Sequence, residues 1–219
     1  MLDYAFEWMQ QYCTGLSLFY PLIYSIVVGM ETKCAFEFGA GKSTRVILDA
    51  LKETGGHLYS ISTDPQRDVM TKSEMWSGCS CCGHDVDWLY DPYTENWTHA
   101  QGQSKDILKH FRTQNMKEPF DLVLHDGSHT EEVVFEDLTF ILEKMKYNSI
   151  LLVHDVLHSQ TGVGMRRAVK EAMKPYKHEL ITLPFGFGLS VVKLKDNKQN
   201  GTVKITKSKP TSRHTTEEI

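Results

Sequence analysis

The sequence has no excess of basic residues. Its 24 Lys and Arg stand against 28 Asp and Glu, a formal charge of -4, so no positive field gathers nucleic acid or an anionic membrane surface. It has no long apolar run either. The longest uncharged stretch, Trp8 to Met30, is broken by Gln10, Gln11, Thr14, Ser17, Pro21 and Ser25, and its apolar part, Leu16 to Met30, falls short of the roughly 20 residues that span a bilayer. That part reads as a core-facing helix pair. The opening MLDYAFEWMQQ lacks the basic region and apolar core of a secretory leader. Cysteine is scarce: there are five, an odd number, with three crowded at Cys79, Cys81 and Cys82, which is not the framework of a secreted disulfide scaffold. These absences point to the reducing cytoplasm, with neither a membrane nor a nucleic-acid partner expected.

What is present is enough for one substantial core: 219 residues, 41% of them hydrophobic. Short β-rich runs alternate with helix-length amphipathic segments, the mark of βα units and a mostly parallel sheet covered on both faces. The strands predicted are Cys34 to Phe38, Leu58 to Ser62, Trp97 to Ala100, Phe120 to His125, Ser149 to His154, His178 to Leu183 and Leu189 to Leu194. Helical spacing predicts helices over Ser43 to Glu53, Glu131 to Lys146 and Met165 to Lys174, the last stopped by Pro175. The linker PFGFG, Pro184 to Gly188, is too short for a crossover helix, so the last two strands should form an antiparallel hairpin. The fold class is therefore α/β, a Rossmann-like seven-stranded sheet with helices on both faces. Residues 1–33 form an N-terminal helical segment, 34–195 the main domain and 196–219 a polar tail too poor in apolar residues to fold. Residues 65–96 interrupt the alternation and carry Trp76, Trp88, Tyr90 and Tyr93, as an acceptor-binding insertion would. Cys79, Cys82 and His84 supply three potential zinc ligands but no fourth partner pair. Reduced, unligated thiols are the expectation there.

The stretch FEFGAGKST, Phe36 to Thr44, invites two readings. As a triphosphate loop it lacks the glycine five positions before Gly41, where Phe36 stands, and it would set Glu37 against a polyphosphate. As a dinucleotide turn it lacks a third glycine at Thr44. What remains is Glu-x-Gly-x-Gly at the end of a first strand, where glycines let a bulky cofactor approach the backbone and the acid favours a ligand with positive charge. S-adenosylmethionine, with an ammonium and a sulfonium, is such a ligand. Asp64, 23 residues past Gly41 at the end of the second strand, is placed to take both ribose hydroxyls.

The segments AFEFGAGKSTRVIL, YSISTD, WTHAQGQS, FDLVLHDGSHTEEVVFEDL, ILLVHD and GVGMRRAV, spread from Ala35 to Val169, resemble in order and spacing the class I S-adenosylmethionine-dependent methyltransferases. DGSH followed by an acidic helix and then VHD is similar to the branch containing sugar O-methyltransferases and cephalosporin-hydroxylase-like proteins. The resemblance implies a sheet with one late strand reversed. It also implies that Glu37, Gly39, Ala40 and Gly41, with Ser43 and Thr44 behind them, surround the methionine part, that Asp64 holds the ribose, and that Gln103 and Ser104 lie near adenine.

Asp126 ends the fourth strand and His154-Asp155 the fifth, so both should open onto one sheet edge, where carboxylates and an imidazole can hold a divalent cation. In the resembling branch the matching aspartate and a later acidic pair bind a magnesium-like metal that binds the substrate hydroxyl. Here one acid of that pair is His154, which brings Mn, Fe or Zn into competition with Mg. Asp126 and His129 are the expected catalytic residues, His129 as a base whose neutral imidazole is available near pH 7. His125 and His158 are expected at the surface or behind the site. Three functions compete: O-methyl transfer to a sugar or other small metabolite, a metal-dependent oxygenase using histidines and one carboxylate, and a non-catalytic S-adenosylmethionine-binding module. Homo-oligomers remain open, and the acceptor is not written in the sequence.

Overall fold

The computed structural model describes residues 15–64, 95–111 and 119–196. The aromatics and cysteines of the insertion and the polar tail lie outside these residues. A short 3-10 turn, Gly15–Phe19, leads into helix α1, Tyr20–Gly29. There follow β1 Cys34–Phe38, α2 Lys42–Thr54, β2 His57–Ser62, β3 Trp97–Gln101, α3 Ser104–Phe111, β4 Phe120–His125, α4 Glu131–Leu142, β5 Met145–His154, α5 Gly162–Met173, β6 His178–Leu183 and β7 Leu189–Leu194.

The seven strands form one sheet in the order β3-β2-β1-β4-β5-β7-β6. β1 to β5 pair in parallel, β7 runs antiparallel to β5, and β6 returns antiparallel to β7 as the short PFGFG linker requires. The chain reverses direction of travel at β1, between β2 and β4. Open α/β sheets bind ligands at the carboxyl ends of the strands flanking such a switch.

Both faces of the sheet are covered, which is why all five residues of β1 are buried. Alternation sorts its side chains. Cys34, Phe36 and Phe38 join the core under α4 and α5, while Ala35 joins the core under α1 and α2. Glu37 has the parity of Ala35 and so faces the start of α2.

Three expectations need correction. The helix predicted to run to Lys146 stops at Leu142; a two-residue turn follows, and Met145 and Lys146 already belong to β5, which is longer than its apolar run because Met145 pairs with Phe120. The Leu16 to Met30 segment is a 3-10 turn plus one helix rather than two helices. Finally, of the two places open to His125 the surface one is excluded, since the residue is fully buried with Nε2 3.2 Å from Asp137 Oδ2 on α4.

Candidate active site

The loop after β1 is the first component. Gly39 adopts φ +84, and a Cβ there would lie 2.1 Å from the carbonyl oxygen of Asp126 and 2.8 Å from the Gly127 Cα. Only glycine allows this left-handed turn to press against the end of β4. A Cβ on Gly41 would meet nothing within 4 Å. The backbone at Gly41 therefore faces open space, which leaves room for a ligand against it.

Glu37 organises this loop from behind. Its carboxyl is completely buried and accepts hydrogen bonds from Ser43 Oγ at 2.6 Å, Thr44 Oγ1 at 2.7 Å and Ser60 Oγ at 3.1 Å. Thr44 Oγ1 in turn accepts the Gly41 N–H at 2.8 Å, and Ser60 Oγ accepts the indole N–H of Trp97 at 3.0 Å. The network runs from β3 through β2 and β1 to the loop after β1. Burial pushes the Glu37 carboxyl up to about 7, against the opposing pull of its three hydroxyl donors and with help from the charge on Asp126.

Asp64 and Gln103 lie on the same edge. Ser62 Oγ donates to the Asp64 carbonyl at 3.1 Å and pairs with His99 Nε2 at 2.9 Å. Gln103 is exposed, its carbonyl accepts the N–H groups of Asp106 and Ile107, and Ser104 opens α3. The structure thus brings the loop, Asp64, Gln103 and Ser104 to the carboxyl ends of β1, β2 and β3.

The second component is a cluster where β4 and β5 end. Asp126, His154 and Asp155 each offer a ligand atom within 4.8 Å of the others. His154 Nδ1 is 2.9 Å from Asp126 Oδ1 and 3.3 Å from Asp155 Oδ1, while its Nε2 is 3.0 Å from the carbonyl oxygen of Gly186. Burial disfavours the His154 cation, yet the hydrogen bond to Asp126 and the negative charges of Asp126 and Asp155 outweigh it and raise the imidazole to about 9. His129 Nε2 lies 2.6 Å from Asp155 Oδ2, and that hydrogen bond raises His129 as well. With Asp155 as partner, the His129 imidazole holds its proton more firmly than a free one. Asp155 itself is held well below the usual carboxylate range by these two imidazoles, in spite of its burial.

Four participants were not anticipated from the sequence. Gly186 sits in the β6–β7 turn and reaches His154 through its carbonyl. Tyr20 of α1 is buried, and its hydroxyl is raised far above the usual range, by burial first and then by the charges of Asp126 and Glu37. Trp97 and Ser60 reach the loop only through Glu37. No local motif announces any of them.

With this geometry in view, the chain can be placed among known proteins. A family model described as "Methyltransferase domain" matches residues 36–156, more than half of the 219 residues. The chain belongs to that methyltransferase family, and its sheet is that of the class I enzymes. Among solved structures it is similar to a SAH-bound methyltransferase from Podospora anserina (TM-score 0.59, 15% identity, 89% of this chain and 88% of that one). It is also similar to an O-methyltransferase from Bacillus cereus in complex with SAH (TM-score 0.59, 13% identity, 80% of each chain). A third is the MycE methyltransferase of the mycinamycin pathway, solved with Mg, SAH and mycinamycin VI (TM-score 0.55, 13% identity, 86% of this chain and 52% of that one). No curated protein sequence matches the chain significantly. Membership in a methyltransferase family leaves the oxygenase reading unsupported. Among the described residues no helix is long and apolar enough to cross a membrane.

Proposed function

We propose that the protein transfers a methyl group from S-adenosylmethionine to a hydroxyl of a small-molecule acceptor, a sugar being one candidate, with a divalent cation assisting. One observation carries this reading: Gly39 of the cofactor loop packs directly on the Asp126 backbone, so a cofactor lying against that loop has its reactive end beside the carboxylate and imidazole cluster.

S-adenosylmethionine, when bound, supplies a methyl group on a positively charged sulfur. The room in front of Gly41 fits a ligand that lies on the backbone, and the buried acid behind the loop suits a cationic one. Asp64, exposed enough to reach solvent at the end of β2, is assigned to the ribose diol, and Gln103 and Ser104 to the adenine side. Glu37 keeps Ser43, Thr44 and through them Gly41 in place.

Asp126, His154 and Asp155 would hold the cation, whose chemistry is to lower the pKa of an acceptor hydroxyl. The fit is supported by a buried oxygen, Asp155 Oδ1, that has no hydrogen-bond partner. His129 is the general base. A carboxylate only accepts, so Asp155 fixes the neutral His129 tautomer with its proton on Nε2 and leaves the Nδ1 lone pair as the basic atom. Asp155 thereby orients the base with one oxygen and offers the other to the cation.

The test is methyl transfer from methyl-labelled S-adenosylmethionine to a panel of hydroxylated small molecules, sugars included. Label should appear in an acceptor with the full-length protein and vanish with His129→Gln and Asp155→Ala. Transfer that survives both substitutions would overturn the assignment of the reacting edge.

A further inference from the structure

We propose that the β6–β7 turn makes His154 a fixed Nδ1 ligand, giving the Asp126, His154 and Asp155 site to a borderline transition ion of the Mn, Fe or Zn class in preference to Mg. The inference rests on the preceding reading only for the location of the site.

Ring orientation comes first. A backbone carbonyl can only accept, so the 3.0 Å contact between Nε2 and the Gly186 oxygen places a proton on Nε2. Nδ1 is the atom turned toward Asp126 and Asp155, and because carboxylates only accept, an ion held there would take the place of the second ring proton that Nδ1 donates to them. The imidazole is 4% exposed and stands edge-on to the buried Phe19 ring at 6.1 Å, which leaves it little freedom to flip. Metal-bound histidines commonly have this arrangement, with the remaining N–H given to a carbonyl that sets tautomer and orientation.

The carbonyl is itself held. Gly186, Phe187 and Gly188 have φ of +44, +63 and +83, a run of left-handed backbone in which the phenylalanine is strained and persists only where its surroundings enforce it. Here they do. The Leu157 N–H donates to the Phe187 carbonyl at 2.7 Å and the Gly188 N–H to that of Phe185 at 2.7 Å, and a Cβ on Gly186 would lie 2.5 Å from the Gly15 oxygen. Leu157 follows Asp155 by two residues, so one short turn ties together the ligand that ends β5 and the one that follows it.

The donor spacing admits an ion, and the donor chemistry selects which. Two donors about 2.1 Å from a common ion, at octahedral or tetrahedral angles, lie about 3.0–3.4 Å apart; the Nδ1 to carboxylate separations are 2.9 and 3.3 Å. Asp155 Oδ1 is buried without a hydrogen bond and faces this point, while its other oxygen is held by His129. One imidazole and two carboxylates suit Zn, Fe or Mn, whereas Mg prefers oxygen and retains several waters.

The experiment titrates the chelator-stripped full-length protein with Co²⁺, followed by visible absorption, and with Mn²⁺ and Mg²⁺ by calorimetry. Each is repeated with His154→Asp and in parallel with S-adenosylmethionine. Co²⁺ and Mn²⁺ should bind at least about tenfold tighter than Mg²⁺, and His154→Asp should weaken Co²⁺ by about 10–100-fold and change its spectrum. Mg²⁺ binding as tightly as Co²⁺, an unchanged spectrum in the variant, or a protein that binds S-adenosylmethionine but no ion would overturn the proposal. Should His154→Asp not fold, pulsed electron paramagnetic resonance of the Mn²⁺-loaded wild type decides: nitrogen coupling supports the proposal and its absence refutes it. A normal Co²⁺ spectrum without S-adenosylmethionine binding would support the ion site and count against the methyltransferase function alone.

Discussion

Replacing Glu37 by glutamine isolates the energetic consequence of a buried acid behind the loop that follows β1. Its carboxyl is raised from 4.5 to about 7, with burial as the leading cause. A carboxyl whose folded value lies above its unfolded one stabilises the fold most fully below about pH 4.5, and that contribution is lost as pH rises through about 7. The difference between the two values, at about 1.4 kcal/mol per pH unit, amounts to about 3 kcal/mol. Glutamine preserves the shape: its carbonyl can accept from Thr44 and Ser60, and its amide can donate to Ser43, which then acts as acceptor. It does not titrate. Urea unfolding of both proteins at a series of pH values from about 4.5 to 8.5 should show wild type losing about 3 kcal/mol relative to Glu37→Gln across the window. Parallel curves would refute the reasoning, and a wild type that gains on the variant as pH rises would mean that the three hydroxyls overcome the cost of burial. The same substitution should weaken S-adenosylmethionine binding above pH 7, because the charge that destabilises the fold is the charge that favours the cation.

Other perturbations address separate parts of the site. Gly39→Ala, forced into φ +84 with a Cβ 2.1 Å from the Asp126 oxygen, should cost about 2–5 kcal/mol of stability in a denaturant titration; a cost below about 0.5 kcal/mol would mean that the loop does not pack on β4 as described. Asp64→Ala should weaken S-adenosylmethionine binding by about tenfold or more, since a charged hydrogen-bond partner is lost. Asp155→Ala should instead abolish turnover with cofactor affinity nearly intact, and equal losses of both properties in each variant would undo that division of roles. Asp137→Ala leaves the buried His125 ring without its partner and should destabilise by about 1–3 kcal/mol in thermal or denaturant unfolding.

The alternation of β-rich and amphipathic segments was legible because each central strand is a short, mostly apolar run between turn residues, as CAFEF and FDLVLH show. The hairpin was legible from linker length alone. The end of α4 was not: Met145 continues the helical spacing of Ile141 and Leu142, and only its pairing with Phe120 across the sheet assigns it to β5. The candidate cluster was half legible. Strand-end positions announced Asp126 and Asp155, but the direction in which His154 turns depends on Gly186, 32 residues away, and on Phe19. The inward role of Glu37 was likewise hidden, because strand parity shows which face a side chain takes while its partners Ser60 and Trp97 come from other strands.

The central claim is that the turn at Gly39 to Thr44 is a cofactor site beside an ion-binding acceptor site. Calorimetric titration with S-adenosylmethionine, before and after chelator treatment, tests it most directly. Saturable binding that persists after the ion is removed is the predicted result. Absence of binding in both states would contradict the account.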